Sequence, residues 1–332
     1  MLVTGASGFA GSLLLPRLSS DGHSVRALAR DPARVRAALA RQRPRNGAGA
    51  AEVQTIVGDV LTGAGLERAL DGVEVAYYLI HSMERSRVDR SPFAERERIA
   101  AERFADQATR AGVRRIVYLG GLQPRWSEAP DDGQADARAD RHAPRSRHLA
   151  SREAVERILL EAVPDSVALR ASIVIGTQSR SFRLLVHLVE RMPVLTLPAW
   201  ERFRTQPIDA RDVTEMLVAC ASAPLGGRSL EIGGPDVLTY GQMLRRIAEL
   251  MLVRRPSLRL RVNLTPVTAR LAAAIAGEDP ALVVPLMEGL QGDLLPADDH
   301  AAELLAVRLH SFDAAVEHAL GVWEEREPLA AR

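Results

Sequence analysis

The chain contains no lysine: all 43 of its basic residues are arginine. That absence excludes a lysine Schiff base, a lysine general base, and a lysine that lowers the pKa of a neighbouring acid, because a guanidinium stays protonated throughout the working pH range. Cysteine is nearly absent too. The single Cys220 sits in an apolar stretch, so there is no disulfide framework and the residue reads as a small core side chain. The eight histidines are scattered, with no H-E-x-x-H and no Cys/His cluster, so no metal site is expected. No G-x-S-x-G elbow supports a hydrolase triad. A net charge of +1 leaves no electrostatic footprint for nucleic acid. The apolar segments 271–276 and 282–290 are separated by Gly277, Glu278, Asp279 and Pro280. Both are too short for a transmembrane segment. No signal peptide is read ahead of the first strand, and the expected location is cytoplasmic.

What remains is the composition of an ordinary globular protein, 47% hydrophobic and 26% charged over 332 residues, long enough for one large α/β unit or two smaller ones. The organising stretch is M-L-V-T-G-A-S-G-F-A-G, Met1 to Gly11. A short apolar run ends at Thr4, three glycines follow at Gly5, Gly8 and Gly11, and a helical pattern starts at Phe9. This is strand, tight turn and helix. Gly5 permits the turn, Gly8 lets backbone N–H groups approach a pyrophosphate, and Gly11 lets the helix lie close on the strand. Ser7 and Phe9 belong to the same turn.

The rest of the first half alternates. A helix is expected over 9–20, bent by Pro16, and strands over 25–29, 53–57, 73–80, 115–119 and 167–175. Helices are expected over 66–70, 93–111 and 148–162. Polar loops are expected over 41–51 and 123–147, the second a surface loop or partly disordered lid that carries Trp126. The pattern implies a doubly wound parallel sheet. Its crevice lies at the C-terminal strand ends. Those ends supply the remaining candidate cofactor residues: Arg30, Asp59, Val60, Ile80, His81, Ser82 and Gly120. In such a unit an acid after the second strand binds the ribose 2′-OH of NAD, whereas an arginine accommodates the 2′-phosphate of NADP. Arg30 favours NADP(H) over NAD, with Asp31 beside it as the NAD-type alternative. Beyond Gly176 the chain changes character. Helices are expected over 182–191, after the run Gln206 to Val213 and reaching Ala221, and from Thr239 to about Met251, where the spacing of Thr239 to Gln242 fits a capping box. Extended segments are expected over 193–198, 230–232 and 258–262. Residues 1–176 are read as the NAD(P)-binding domain. Residues 177–332 are read as mostly a substrate-side lobe, with segments near 206–234 returning to the sheet. The apolar residues of 186–197 and 271–295 would suit a greasy substrate pocket and would equally suit a core.

Thr4-Gly5-x-x-Gly8-x-x-Gly11, Arg30-Asp31-Pro32, Gly58-Asp59-Val60 and the order of elements resemble the short-chain dehydrogenase/reductase superfamily, in the spacing of its extended and atypical branches. Tyr77-Tyr78-Leu79-Ile80-His81-Ser82-Met83, Leu119-Gly120-Gly121-Leu122, His148-Leu149-Ala150-Ser151-Arg152 and Gln206-Pro207-Ile208 with Arg211-Asp212-Val213 look like an atypical subgroup similar to redox-sensor-like and complex I accessory-subunit-like members. The resemblance implies a Rossmann fold and a nicotinamide cofactor, and leaves the substrate open. Active members use a tyrosine with a lysine four residues later, the phenol serving as acid or base. Here Tyr77, Tyr78, Tyr118 and Tyr240 are the only tyrosines and none has that lysine. At the expected place stand His148 and Arg152, one helical turn apart. Gly120-Gly121 replaces the usual serine or threonine. The resulting expectation is an NADP(H)-dependent oxidoreductase acting on a small carbonyl, enone or quinone-like substrate, with His148 and Arg152 as catalytic candidates. A non-catalytic NADP(H)-binding sensor or assembly protein is the alternative, and an epimerase or dehydratase a weaker one. A homo-oligomer or a protein partner is compatible with all three.

Overall fold

The computed structural model describes residues 1–42, 53–80, 93–124, 147–259, 292–327 and 329. Most of the 41–51 loop, His81-Ser82-Met83, nearly all of 123–147 with Trp126, and the apolar segments 271–276 and 282–290 lie outside the described residues.

The first half alternates as β1 (Leu2–Thr4), α1 (Phe9–Ser20), β2 (Arg26–Ala29), α2 (Pro32–Gln42), β3 (Gln54–Val57), α3 (Leu66–Leu70), β4 (Val75–Tyr78), α4 (Phe93–Arg110), β5 (Arg115–Gly121), α5 (Arg147–Ala162) and β6 (Val167–Ala171). Then come β7 (Val174–Ile175), α6 (Arg180–Arg191), β8 (Leu195–Leu197), β9 (Arg204–Thr205), β10 (Ile208–Asp209), α7 (Ala210–Cys220), β11 (Arg228–Ile232), β12 (Leu238–Thr239), α8 (Tyr240–Leu250), β13 (Ser257–Arg259), α9 (Ala301–Leu304) and α10 (Phe312–Glu324). Seven strands form one parallel sheet in the order β3-β2-β1-β4-β5-β6-β11. The order reverses between β1 and β4, which defines the switch point of a doubly wound sheet.

Both faces of the sheet are covered, which is why β4 and nearly all of β5 are buried runs rather than alternating ones. Leu14, Leu15 and Leu18 of α1 pack with Val35 of α2 and Met216 and Leu217 of α7 on one face. Leu66 and Leu70 of α3, Phe104 of α4 and Leu159 of α5 cover the other. A third core joins Phe182, Leu185 and Val189 of α6 to Leu195 and Leu197 of β8, Met243 and Ile247 of α8, and Leu320 and Trp323 of α10. Val186, Leu188, Leu195 and Leu197 are therefore core, the second of the two readings the sequence allowed for 186–197. At the end of the sheet remote from the switch-point crevice, the buried Arg115 fixes several elements together. It binds Asp165 through two bonds of 2.7 and 3.0 Å and donates to the carbonyls of Cys220 and Ala223 at 2.8 and 2.6 Å.

The expected sixth strand breaks in two. β6 stops at Ala171, where Leu122 N–H closes on the Ala171 carbonyl at 2.9 Å. Ser172 then turns toward Ile232 and Thr205, and β7 leaves the sheet to pair with β10. α1 runs unbroken past Pro16, which lies exposed on its outer side. The capping box at Thr239 and Gln242 forms as its spacing demands. β13 runs over Ser257–Arg259, overlaps the expected 258–262 strand at 258–259 and pairs with β8; residues 260–262 lie outside the described residues. Among the described residues no helix is long and apolar enough to cross a membrane.

Candidate functional site

The site is built on the turn between β1 and α1. Gly5 has φ +68°, and a Cβ there would lie 2.4 Å from the Leu79 carbonyl oxygen at the end of β4. Only glycine satisfies both the left-handed backbone and that approach. Gly8 N–H bonds the Gly5 carbonyl at 2.9 Å and closes the turn. A Cβ on Gly11 would meet the Gly5 oxygen at 2.4 Å and Ala6 Cα at 2.9 Å, so the missing side chain is what lets α1 rest on its own turn. Gly8 is the N-cap of α1, is exposed, and brings no side-chain cap. The first backbone N–H groups of the helix and the positive end of its dipole thus face outward, the arrangement that takes a phosphate. Ser7 is half-buried inside the turn.

Thr4 clamps this turn to the switch point. Its hydroxyl is buried, donates to the Tyr77 carbonyl at 3.0 Å and accepts from Leu79 N–H at 3.3 Å, so β1 and β4 stay in register where Gly5 meets Leu79 and Ile80. The sequence marks Thr4 only as the polar end of an apolar strand and the first residue of the glycine motif; its role as a clamp appears only with β4 beside it.

The other candidates lie at neighbouring strand ends. Gly58 follows β3 and bonds the Ala29 carbonyl at 3.0 Å, which brings Asp59 and the buried Val60 beside the end of β2. Asp59 Oδ1 accepts Leu61 N–H at 2.8 Å and so holds its own turn. Arg30 is exposed after β2. Its neighbour Asp31 caps α2, with Oδ1 accepting Ala33 N–H at 2.8 Å. Ile80 is half-buried after β4. His81 and Ser82 lie outside the described residues. Gly120 is buried near the end of β5, in register with Arg170.

His148 and Arg152 both stand on α5, in its first two turns; the His148 side chain lies outside the described residues. Tyr118 OH donates to the Arg152 carbonyl at 3.3 Å and pins α5 to β5. Ser151 Oγ donates to the buried Glu97 of α4 at 2.6 Å. All four tyrosines are buried, and burial raises each phenol pKa well above the ordinary 10. Burial disfavours the ionised form of each. Cys220 is likewise buried, its thiol pushed up to about 12. Among the described residues no group of His, Cys, Asp or Glu is arranged to hold a metal ion.

A glycine cradle at a helix N-terminus, set at the switch point of a parallel sheet, defines a dinucleotide-binding α/β protein. Residues 1–233 match the NAD dependent epimerase/dehydratase family, and the chain belongs to that family. It is 27% identical over 250 residues to the ceramide reductase of Caulobacter vibrioides (strain NA1000 / CB15N), a match covering 75% of this chain and 69% of the relative. It is 31% identical over 100 residues to the mitochondrial NADH dehydrogenase [ubiquinone] 1 alpha subcomplex subunit 9 of Arabidopsis thaliana, a match confined to 30% of this chain and 25% of that subunit. Among solved structures, MoeE5 in complex with UDP-glucose and NAD aligns over 98% of both chains with a TM-score of 0.66 at 18% identity, a likeness of fold alone.

Proposed function

We propose that the chain is an NADP(H)-dependent oxidoreductase acting on an apolar carbonyl, enone or quinone-like substrate. The observation that carries the cofactor reading is the glycine cradle, where added Cβ atoms would strike backbone at 2.4 Å on Gly5 and on Gly11. Gly5, Ser7, Gly8, Phe9 and Gly11 would hold the pyrophosphate, and Asp59, Val60, Ile80 and Gly120 would flank the two ends. Arg30 would read the 2′-phosphate. The neighbouring Asp31 carboxylate is already committed to the α2 N-terminus, which favours the phosphorylated cofactor. A bound nicotinamide supplies the hydride chemistry.

The chain supplies position and a proton. His148 is the proton carrier in this reading, imidazole being the side chain suited to acid–base work near neutral pH. Arg152, on the turn of α5 whose backbone Tyr118 pins to β5, would orient ribose or phosphate. The kinship with a ceramide reductase supports reduction of a lipid-like substrate. The family's epimerase and dehydratase chemistry is a poorer match, because all four phenols are buried and no lysine exists. The same absences support a second reading, a binding protein that does no chemistry, in line with the partial match to a complex I subunit.

The test is NADPH consumption over a panel of apolar ketones, enones and quinones, wild type beside His148→Ala. Turnover that falls about 100-fold or more in the variant, with cofactor binding kept, is expected of a lost acid–base group. Unchanged turnover rejects His148. No turnover on any substrate, with tight cofactor binding, selects the second reading.

A further inference from the structure

A small cleft of ≈ 90 Å³ opens on the flank of α1 that faces α7 and α10, away from the contact of Gly5 with β4. Its volume matches about three water molecules at the ~30 Å³ each occupies in the liquid. Phe9, Gln178, Asp209, Arg211, His318 and Arg326 line it. The Phe9 ring forms its floor against Gly176, where a Cβ would sit 2.7 Å from Phe9 Cζ.

The chemistry of the walls is lopsided. Asp209 is the one carboxylate among them, and it is saturated: Oδ1 caps α7 by accepting Arg211 N–H at 2.7 Å, and both oxygens accept from the Arg211 guanidinium, with Nε at 3.1 and 3.0 Å. Arg211 Nη1 lies outside that pair. Arg326 brings a second guanidinium, held in place by a bond to the Arg41 carbonyl at the end of α2. Gln178 Nε2 is buried and has no hydrogen-bond partner among the described residues. A buried donor left without a partner costs free energy unless something fills the space. The cleft thus offers guanidinium N–H donors from Arg211 and Arg326, an unpartnered Gln178 amide buried in its wall, one carboxylate already neutralised, and room for a single compact group.

We propose that this cleft binds one tetrahedral oxyanion, a phosphate-type group, at a site separate from the cofactor's pyrophosphate. The anion would bond Gln178 Nε2, Arg326 and the outer edge of Arg211, and so tie α10 to the N-terminal ends of α1 and α7. Phe9 makes the site neighbourly with the cofactor turn: its backbone belongs to the turn and its ring to the cleft.

The test is isothermal titration calorimetry on the full chain with inorganic phosphate and, separately, glycerol phosphate. Wild type, Gln178→Leu and Arg326→Met are compared, each with and without saturating NADPH. The expected result is one phosphate per chain, retained when NADPH is present and weakened about tenfold or more in both variants, as the loss of a charge-assisted bond or a buried donor implies. Tighter binding of glycerol phosphate assigns the site to an organic phosphomonoester, and tighter inorganic phosphate assigns it to the free ion. The proposal is overturned if no phosphate binds, if both variants bind as wild type does, or if NADPH abolishes binding, since the anion would then have been using the glycine cradle. Should Gln178→Leu not fold, the exposed Arg326→Met carries the test. Should NADPH itself not bind, the cofactor reading fails while the variants still decide this one.

Discussion

Two glycine-to-alanine substitutions on helices should move stability in opposite directions. Gly11 lies in the first turn of α1 and Gly321 in the last part of α10. In a helix, alanine is favoured over glycine by ~1 kcal/mol. At Gly321 nothing lies within 4 Å of the added Cβ, so Gly321→Ala should gain most of that, about 0.5–1 kcal/mol. At Gly11 the new methyl would meet the Gly5 carbonyl oxygen at 2.4 Å and Ala6 Cα at 2.9 Å. Both are backbone atoms of the turn that α1 grows from, so relief requires lifting the helix off its strand. Overpacking of that kind costs ~1–3 kcal/mol, which outweighs the propensity gain. The net expectation for Gly11→Ala is a loss of up to about 2 kcal/mol, and a gap between the two variants of about 1–3 kcal/mol, the overpacking cost itself. Equilibrium urea unfolding reads this as midpoint shifts of opposite sign at constant slope. A Gly11→Ala protein as stable as Gly321→Ala would refute the close approach of α1 to its turn, and with it the reason for a glycine there.

Three further outcomes follow from other contacts. Ser151→Ala removes the donor to buried Glu97 at 2.6 Å and should cost about 1–3 kcal/mol in urea unfolding, since the carboxylate loses a partner it cannot replace with water. The hydrogen bond from Arg115 holds the Asp165 carboxyl below its ordinary 3.8, so this group adds stability above that pH and loses it as pH falls through the depressed value. Asp165→Asn should therefore be less stable than wild type at pH 7, with the gap closing toward pH 2; a gap independent of pH would contradict the ion pair. If Arg30 reads the 2′-phosphate as proposed, Arg30→Ala should weaken NADPH about tenfold or more and leave NADH nearly unchanged in a fluorescence titration.

Local elements were legible from residue order because their causes are local. The glycine turn, the bounds of α1 and α3, and the Thr239 capping box depend on residues within a few positions of one another. Alternating apolar runs gave the parallel sheet, since both faces of its strands are buried. What stayed hidden depends on distant partners. The break after Ala171 is set by Leu122, Ile232 and Thr205, none of them near in sequence. The clamp by Thr4 needs β4, and the bond from Ala33 N–H to Asp31 at the start of α2 is seen only once that helix is placed. The tyrosines were known to lack a lysine; that all four are buried emerges only from packing.

The most direct test of the account is a paired fluorescence titration of the purified protein with NADPH and NADH. The cradle at Gly5, Gly8 and Gly11 with Arg30 at its ribose end predicts that both bind and that NADPH binds clearly tighter. Tighter binding of NADH would show that Asp31 serves the ribose and that the choice of cofactor is wrong. Binding of neither would mean that the glycine turn is architecture alone, and the proposed function would fall with it.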